Sequence, residues 1–197
     1  MPIDKESFTL DNLRPIFSMV IVMWVVQFGN WILGYELNQW FGIAPWKLEG
    51  LMGVPLSPFL HANWSHILAN TVPLLMLGGM AAMVAPTRFF DATLIIILLG
   101  GLMVWLMARG GLRVHVGASG LIFGYLGFVV ALGVIERSLR TIVFAASAAV
   151  LYGGTMIWGV LPIDARVSWE SHLFGAVAGI AAAYTLRRNA RPKRNTR

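Results

Sequence analysis

Six apolar blocks, each about 18 to 24 residues long, follow one another along the chain and leave little room for anything but a membrane fold. They cover residues 15–37, 61–84, 89–108, 117–135, 141–161 and 169–186. At 1.5 Å per helical residue each is long enough to cross a hydrocarbon layer of about 30 Å. Composition agrees: 57% of the 197 residues are hydrophobic and 12% are charged, about half the charged share of a soluble domain. The expected fold class is therefore an all-α membrane protein with six transmembrane helices. Turn and charge signals separate most blocks, as in Ala85-Pro86-Thr87-Arg88 and Pro162-Ile163-Asp164-Ala165-Arg166. The connection over 38–60 differs. It is semi-apolar and holds Trp40, Phe41 and Trp46, which predicts a loop lying in the membrane interface between helices 1 and 2.

The cations set the expected orientation. With both termini cytoplasmic, Lys5, Arg14, Arg88, Arg137, Arg140 and six residues of the tail fall inside, which makes 11. Lys47, Arg109, Arg113 and Arg166 fall outside, which makes four. That bias predicts an inner (plasma) membrane protein with a cytoplasmic lead over 1–14, a bundle over 15–186 and a basic cytoplasmic tail over 187–197. The tail cations Arg187, Arg188, Arg191, Lys193, Arg194 and Arg197 read as an anchor on anionic headgroups, in preference to a nucleic-acid contact. The lead lacks a small-residue cleavage site after its apolar block, so it reads as uncleaved. With no cysteine, a disulfide framework or thiolate metal site is excluded, and no cofactor or metal is expected.

Polar groups inside spans are costly, so each is a candidate for function. His66 and Asn70 are four apart in the second block and share a helix face. Ser119 lies in Gly117-Ala118-Ser119-Gly120 at the start of the fourth, and His172 lies near the start of the sixth. Taken singly, these have plain explanations in helix packing and interhelical hydrogen bonds. Taken together under the predicted orientation, blocks two, four and six all run inward, and the three positions reach comparable depth below one surface. A serine, an imidazole able to take its proton and a polar pair able to bind an oxyanion are the parts of acyl transfer. Gly117 and Gly120 allow a tight turn and close approach before and after the serine. Gly175 and Gly179 give block six a smooth face that brings His172 to Ser119. No carboxylate is placed to complete a triad: Glu170 points to another face, and Asp91 and Glu136 belong to the opposite side. The expected arrangement is a Ser–His dyad.

These motifs resemble the rhomboid intramembrane proteases over nearly the whole chain. The resemblance rests on His66-Ile67-Leu68-Ala69-Asn70, on Gly117-Ala118-Ser119-Gly120, and on Ser171-His172 followed by Gly175 and Gly179, in order on the correct spans. His61 matches a histidine commonly found before the first of them. The resemblance implies a six-helix rhomboid bundle with Ser119 as nucleophile and His172 as general base. It implies an oxyanion hole from His66, Asn70 and the backbone N–H groups of Ala118 and Ser119. It further implies single-span membrane proteins as substrates, cut near the outer end of their helix, with the connection before block six as a cap. Two positions depart from the family pattern. Phe123 stands where a tyrosine commonly stacks under the catalytic histidine, and Met52-Gly53 stands where many members carry Trp-Arg, with Trp46-Lys47 the nearest analogue. Rival readings are a catalytically silent rhomboid-like client binder, a small proton-coupled transporter using His66 and His172, and a structural subunit.

Overall fold

The computed structural model describes residues 9–109, 114–163 and 167–187. Lys5, Arg113, Arg166 and the tail cations beyond Arg187 lie outside the described residues, as does part of the connection before the last helix. The described chain is helical: α1 Arg14–Ile32, α2 Glu36–Phe41, α3 Gly53–Leu56, α4 Trp64–Val84, α5 Phe89–Met107, α6 Ser119–Glu136, α7 Leu139–Gly159 and α8 Trp169–Thr185. Four long segments, Leu10–Ile32, Trp64–Val84, Pro86–Met107 and Ser119–Glu136, have the length and apolar character to cross a membrane. Their outward side chains are mostly apolar: Phe17, Ile21, Val25 and Phe28 on α1 and Leu98, Leu102 and Leu106 on α5 are exposed. Apolar residues displayed over whole helices suit a lipid surround and would aggregate in water. The protein is membrane-embedded.

Local chemistry sets the helix ends a few residues away from the apolar block ends. The first block was expected to continue to 37, yet α1 stops at Ile32, because Gly34 and Tyr35 adopt left-handed backbone (φ 62° and 66°) and turn the chain into α2. The second was expected to begin at 61, yet α4 begins at Trp64. Asn63 is its N-cap and accepts the His66 N–H at 2.8 Å, satisfying one of the free donors of the first turn. That cap leaves His61 in the connecting loop. The fourth helix starts at Ser119 itself, two residues after Gly117.

Helix α6 is the centre of the bundle. Every residue from Leu121 to Val129 is buried, as befits a helix apolar on all sides. Its Tyr125 is fully buried, stacks on Phe89 at 5.5 Å and exchanges a 2.8 Å hydrogen bond with Thr93 of α5. Helix α8 presses on α6 so closely that a Cβ on Gly179 would sit 1.9 Å from the Gly124 carbonyl oxygen, and one on Gly175 2.0 Å from that of Gly120. Only glycine permits such backbone contact.

One end of the bundle is tied by charge. Arg88, at the α4–α5 junction, pairs with Glu136 at the end of α6 and also donates to the Leu186 carbonyl beyond α8. Arg140, at the start of α7, donates to the Met83 carbonyl of α4. Helices α4, α6 and α8 therefore all end on this side and all begin on the other.

Candidate active site

At the beginning of those three helices lies a cavity of about 590 Å³. Ser119, His172, His66 and Asn70 all line it, together with Val116, Ile122, Phe123 and, from α7, Tyr152 and Thr155. Residues from four separate helices thus meet at one space. Its volume falls within the ordinary range for sites that enclose a small ligand or part of a chain.

His172 is 8% exposed and held from two directions. Its Nδ1 lies 2.8 Å from the Gly159 carbonyl at the end of α7. A carbonyl only accepts, so Nδ1 carries the proton and Nε2 keeps its lone pair. The Phe123 ring lies flat against the imidazole, centroids 4.2 Å apart and planes 4° apart. The ring can neither flip nor tilt without losing one of these contacts. No hydrogen bond joins Ser119 to His172 in this structure, although both face the cavity. Catalytic hydrogen bonds commonly tighten only when substrate is bound.

The opposite wall supplies donors. The Ala62 N–H points to His66 Nδ1 at 3.4 Å, so Nδ1 is the acceptor and Nε2 bears the proton. That Nε2 faces the serine loop: a Cβ built on Gly117 would lie 2.8 Å from it and 3.5 Å from Asn70 Nδ2. Gly117 has φ +120°, which a side chain rarely tolerates, and its N–H donates to the Ser57 carbonyl at 2.9 Å. Asn70 is 6% exposed, and its Nδ2 has no hydrogen-bond partner. A buried amide without a partner costs free energy in the resting protein, and a ligand oxygen in the cavity would satisfy it.

The Ala118 N–H, expected among the oxyanion donors, is directed elsewhere. It points to His61 Nε2 at 3.4 Å, and Ala118 is 1% exposed. His61 is itself fully buried and packs edge-on against His66, ring centroids 5.0 Å apart. Its carbonyl accepts from Asn38, which in turn accepts from Asn30 of α1. His61 is thus a joint between the first connection and the serine loop. Gly120 packs against the Ser171 carbonyl, where a Cβ would approach to 3.2 Å.

Two residues near the site carried no obvious sequence signal. Gly159 acts through its carbonyl, a group every residue possesses, although only glycine fits, since a Cβ there would lie 2.4 Å from Phe123 Cζ. His115, four residues before Ser119, lies outside the apolar blocks, where a polar side chain is unremarkable. Ser168 could have been found: a serine just before an apolar helical run, followed by Ser171, is an N-cap pattern.

A rhomboid domain matches residues 48–189, and that stretch holds every described residue that lines the cavity. The chain belongs to the rhomboid family. A Mycobacterium tuberculosis protein described as uncharacterized is 42% identical over 178 residues, covering 87% of this chain and 73% of the relative. A Mycobacterium bovis protein, also described as uncharacterized, matches with the same identity and coverage. A similarly described Mycobacterium leprae protein is 36% identical over 189 residues, covering 92% of this rhomboid chain and 73% of its own.

Proposed function

We propose that this rhomboid protein is an intramembrane serine endopeptidase that cleaves single-span membrane proteins near the outer end of their transmembrane helix. The observation that carries the reading is the 2.8 Å contact of His172 Nδ1 with the Gly159 carbonyl, from which the tautomer follows. With Nδ1–H given to the Gly159 carbonyl, the basic Nε2 is left for the cavity that Ser119 also faces. Nε2 takes the Ser119 proton as Oγ attacks the scissile carbonyl carbon. The resulting oxyanion accepts from His66 Nε2–H, Asn70 Nδ2–H and the Ser119 backbone N–H, which is free because it opens α6. His172 then passes its proton to the leaving amine. Water enters, gives a proton to Nε2 and attacks the acyl-serine, and the proton returns to Ser119 as the acid departs.

In this reading all six long helices span the bilayer, the connection over 38–60 lies in the outer interface, and both termini are cytoplasmic in the inner membrane. The basic tail rests on anionic lipid. Two observations favour hydrolysis over the rivals. Among the described residues no Asp or Glu lines the cavity, so none there supplies the acidic partner that a proton-coupled transporter would use. A silent client binder has no use for a serine and a pre-set imidazole base in one space.

Labelling of the purified protein with a fluorophosphonate tests the proposal. Wild type should label and Ser119→Ala should not; equal labelling of both sinks the reading. His172→Ala, with its thermal midpoint retained, should lose cleavage of a reporter transmembrane substrate.

A further inference from the structure

His115 stands four residues before Ser119 and is 2% exposed. Its backbone is held on one side by an isolated antiparallel bridge. The His115 N–H donates to the Ile43 carbonyl at 2.8 Å, and the Ile43 N–H donates back at 3.0 Å. Its imidazole is held on the other. Nδ1 lies 2.6 Å from Ser168 Oγ, and Ser168 Oγ donates to Ser171 Oγ at 2.6 Å. The same Ser168 oxygen accepts the Ser171 N–H at 3.3 Å and so caps α8.

A hydroxyl has one proton. Once that proton goes to Ser171, Ser168 can only accept from the imidazole, so His115 Nδ1 is the donor. His115 Nε2 is then a buried acceptor with no hydrogen-bond partner. Burying that acceptor unpaired costs free energy, which the Nδ1–H bond to Ser168 offsets in part.

From this geometry we infer that His115 is a positioning residue for peptide-bond hydrolysis: through Ser168 it ties the loop that delivers Ser119 to the first turn of the helix that delivers His172. The inference rests on the protease reading. Ser168 is gripped twice by α8, since its Oγ accepts from Ser171 and its carbonyl accepts the His172 N–H at 3.3 Å. A displacement of Ser168 therefore moves His172 relative to Ser119. His115 does not line the cavity, so it acts through Ser168 and is not a second base.

The test uses the full chain in detergent with His115→Phe, which keeps a ring and removes the donor, and His115→Asn, whose amide N–H falls near the position of Nδ1. Cleavage of a reporter substrate gives kcat and KM. Hydrogen exchange at the backbone amides of Glu170 to Leu173 reports on the cap without needing activity. His115→Phe should lower kcat by about 30-fold with KM within about twofold. It should also speed exchange in that turn about fivefold, with α6 unchanged. His115→Asn should restore most of both. Ser168→Ala should reproduce the Phe variant, and the double variant should be no worse than either single one. Wild-type exchange in His115→Phe overturns the inference whatever its activity, and so does a loss of kcat that Asn fails to rescue. If the wild type neither labels nor cleaves, the protease reading falls, while the exchange arm still decides whether His115 fixes the turn that carries His172.

Discussion

The Phe123 ring and the His172 imidazole lie parallel within 4°, their centroids 4.2 Å apart. This stacking makes the phenyl a backstop for the proposed base. A tyrosine at this position would add a hydroxyl at Cζ, the ring atom that packs against Gly159, and keep an aromatic face for the imidazole. Phe123→Tyr should therefore keep kcat/KM within about threefold, whereas Phe123→Ala should lower it roughly tenfold, the size of an aromatic-pair contribution. Steady-state cleavage of a reporter substrate, with thermal melting as a folding control, measures both.

Asn70 offers the clearest test of oxyanion binding, because its Nδ2 is buried and idle at rest. Removing a donor that acts only in the transition state lowers kcat and leaves KM nearly fixed. Asn70→Ala should reduce kcat about 100-fold. Since the resting protein loses an unsatisfied group, its thermal midpoint should not fall. A variant with normal kcat would remove Asn70 from the oxyanion hole.

The glycines divide sharply by what surrounds them. At Gly179 a Cβ would meet the Gly124 carbonyl at 1.9 Å, whereas at Gly29 nothing lies within 4 Å. Gly179→Ala must push α8 off α6, at a cost of about 3 kcal/mol or more. Gly29→Ala should instead be neutral, or stabilise α1 by about 0.5 to 1 kcal/mol. Thermal denaturation in one detergent compares them directly, and equal midpoints would discount the close helix contact.

Burial holds the His115 imidazole below the usual histidine range, and Glu170 opposes this shift in part. A lowered pKa in the folded protein means that the unfolded chain binds more protons once pH drops below the model-peptide value of 6.5. Stability from the neutral ring is thus complete above that value. It declines as pH falls from there toward the lowered folded pKa. Thermal midpoints taken from about pH 8 to about pH 5 should fall, with a shallower slope in His115→Asn, where position 115 no longer titrates. An unaltered slope would show that other groups carry the dependence.

The helices were legible in the sequence because membrane spans are long and apolar, and four residues that meet at the cavity, His66, Asn70, Ser119 and His172, because polar groups within such spans are few. Helix ends were less legible. Asn63 moved the start of α4 past His61, and Gly34 with Tyr35 broke the first block early, since caps and left-handed residues act locally and hydropathy does not register them. The Ala118 N–H was assigned by its place in a motif, but its direction depends on where the loop places His61, a contact between residues 57 positions apart. Likewise no side chain in the sequence pointed to a partner for His172, whose Nδ1 meets a carbonyl, a group common to every residue.

The shared direction of α4, α6 and α8 has an electrical consequence. Each helix carries the equivalent of about half a positive charge at its first turn. Here three such ends converge on one cavity, in surroundings where lipid and packed side chains screen them poorly. Their fields add. The space beside Ser119 is thereby biased toward negative charge by backbone dipoles alone. That bias needs no protonation event to switch it on, and it would persist in variants that lose any single side-chain donor.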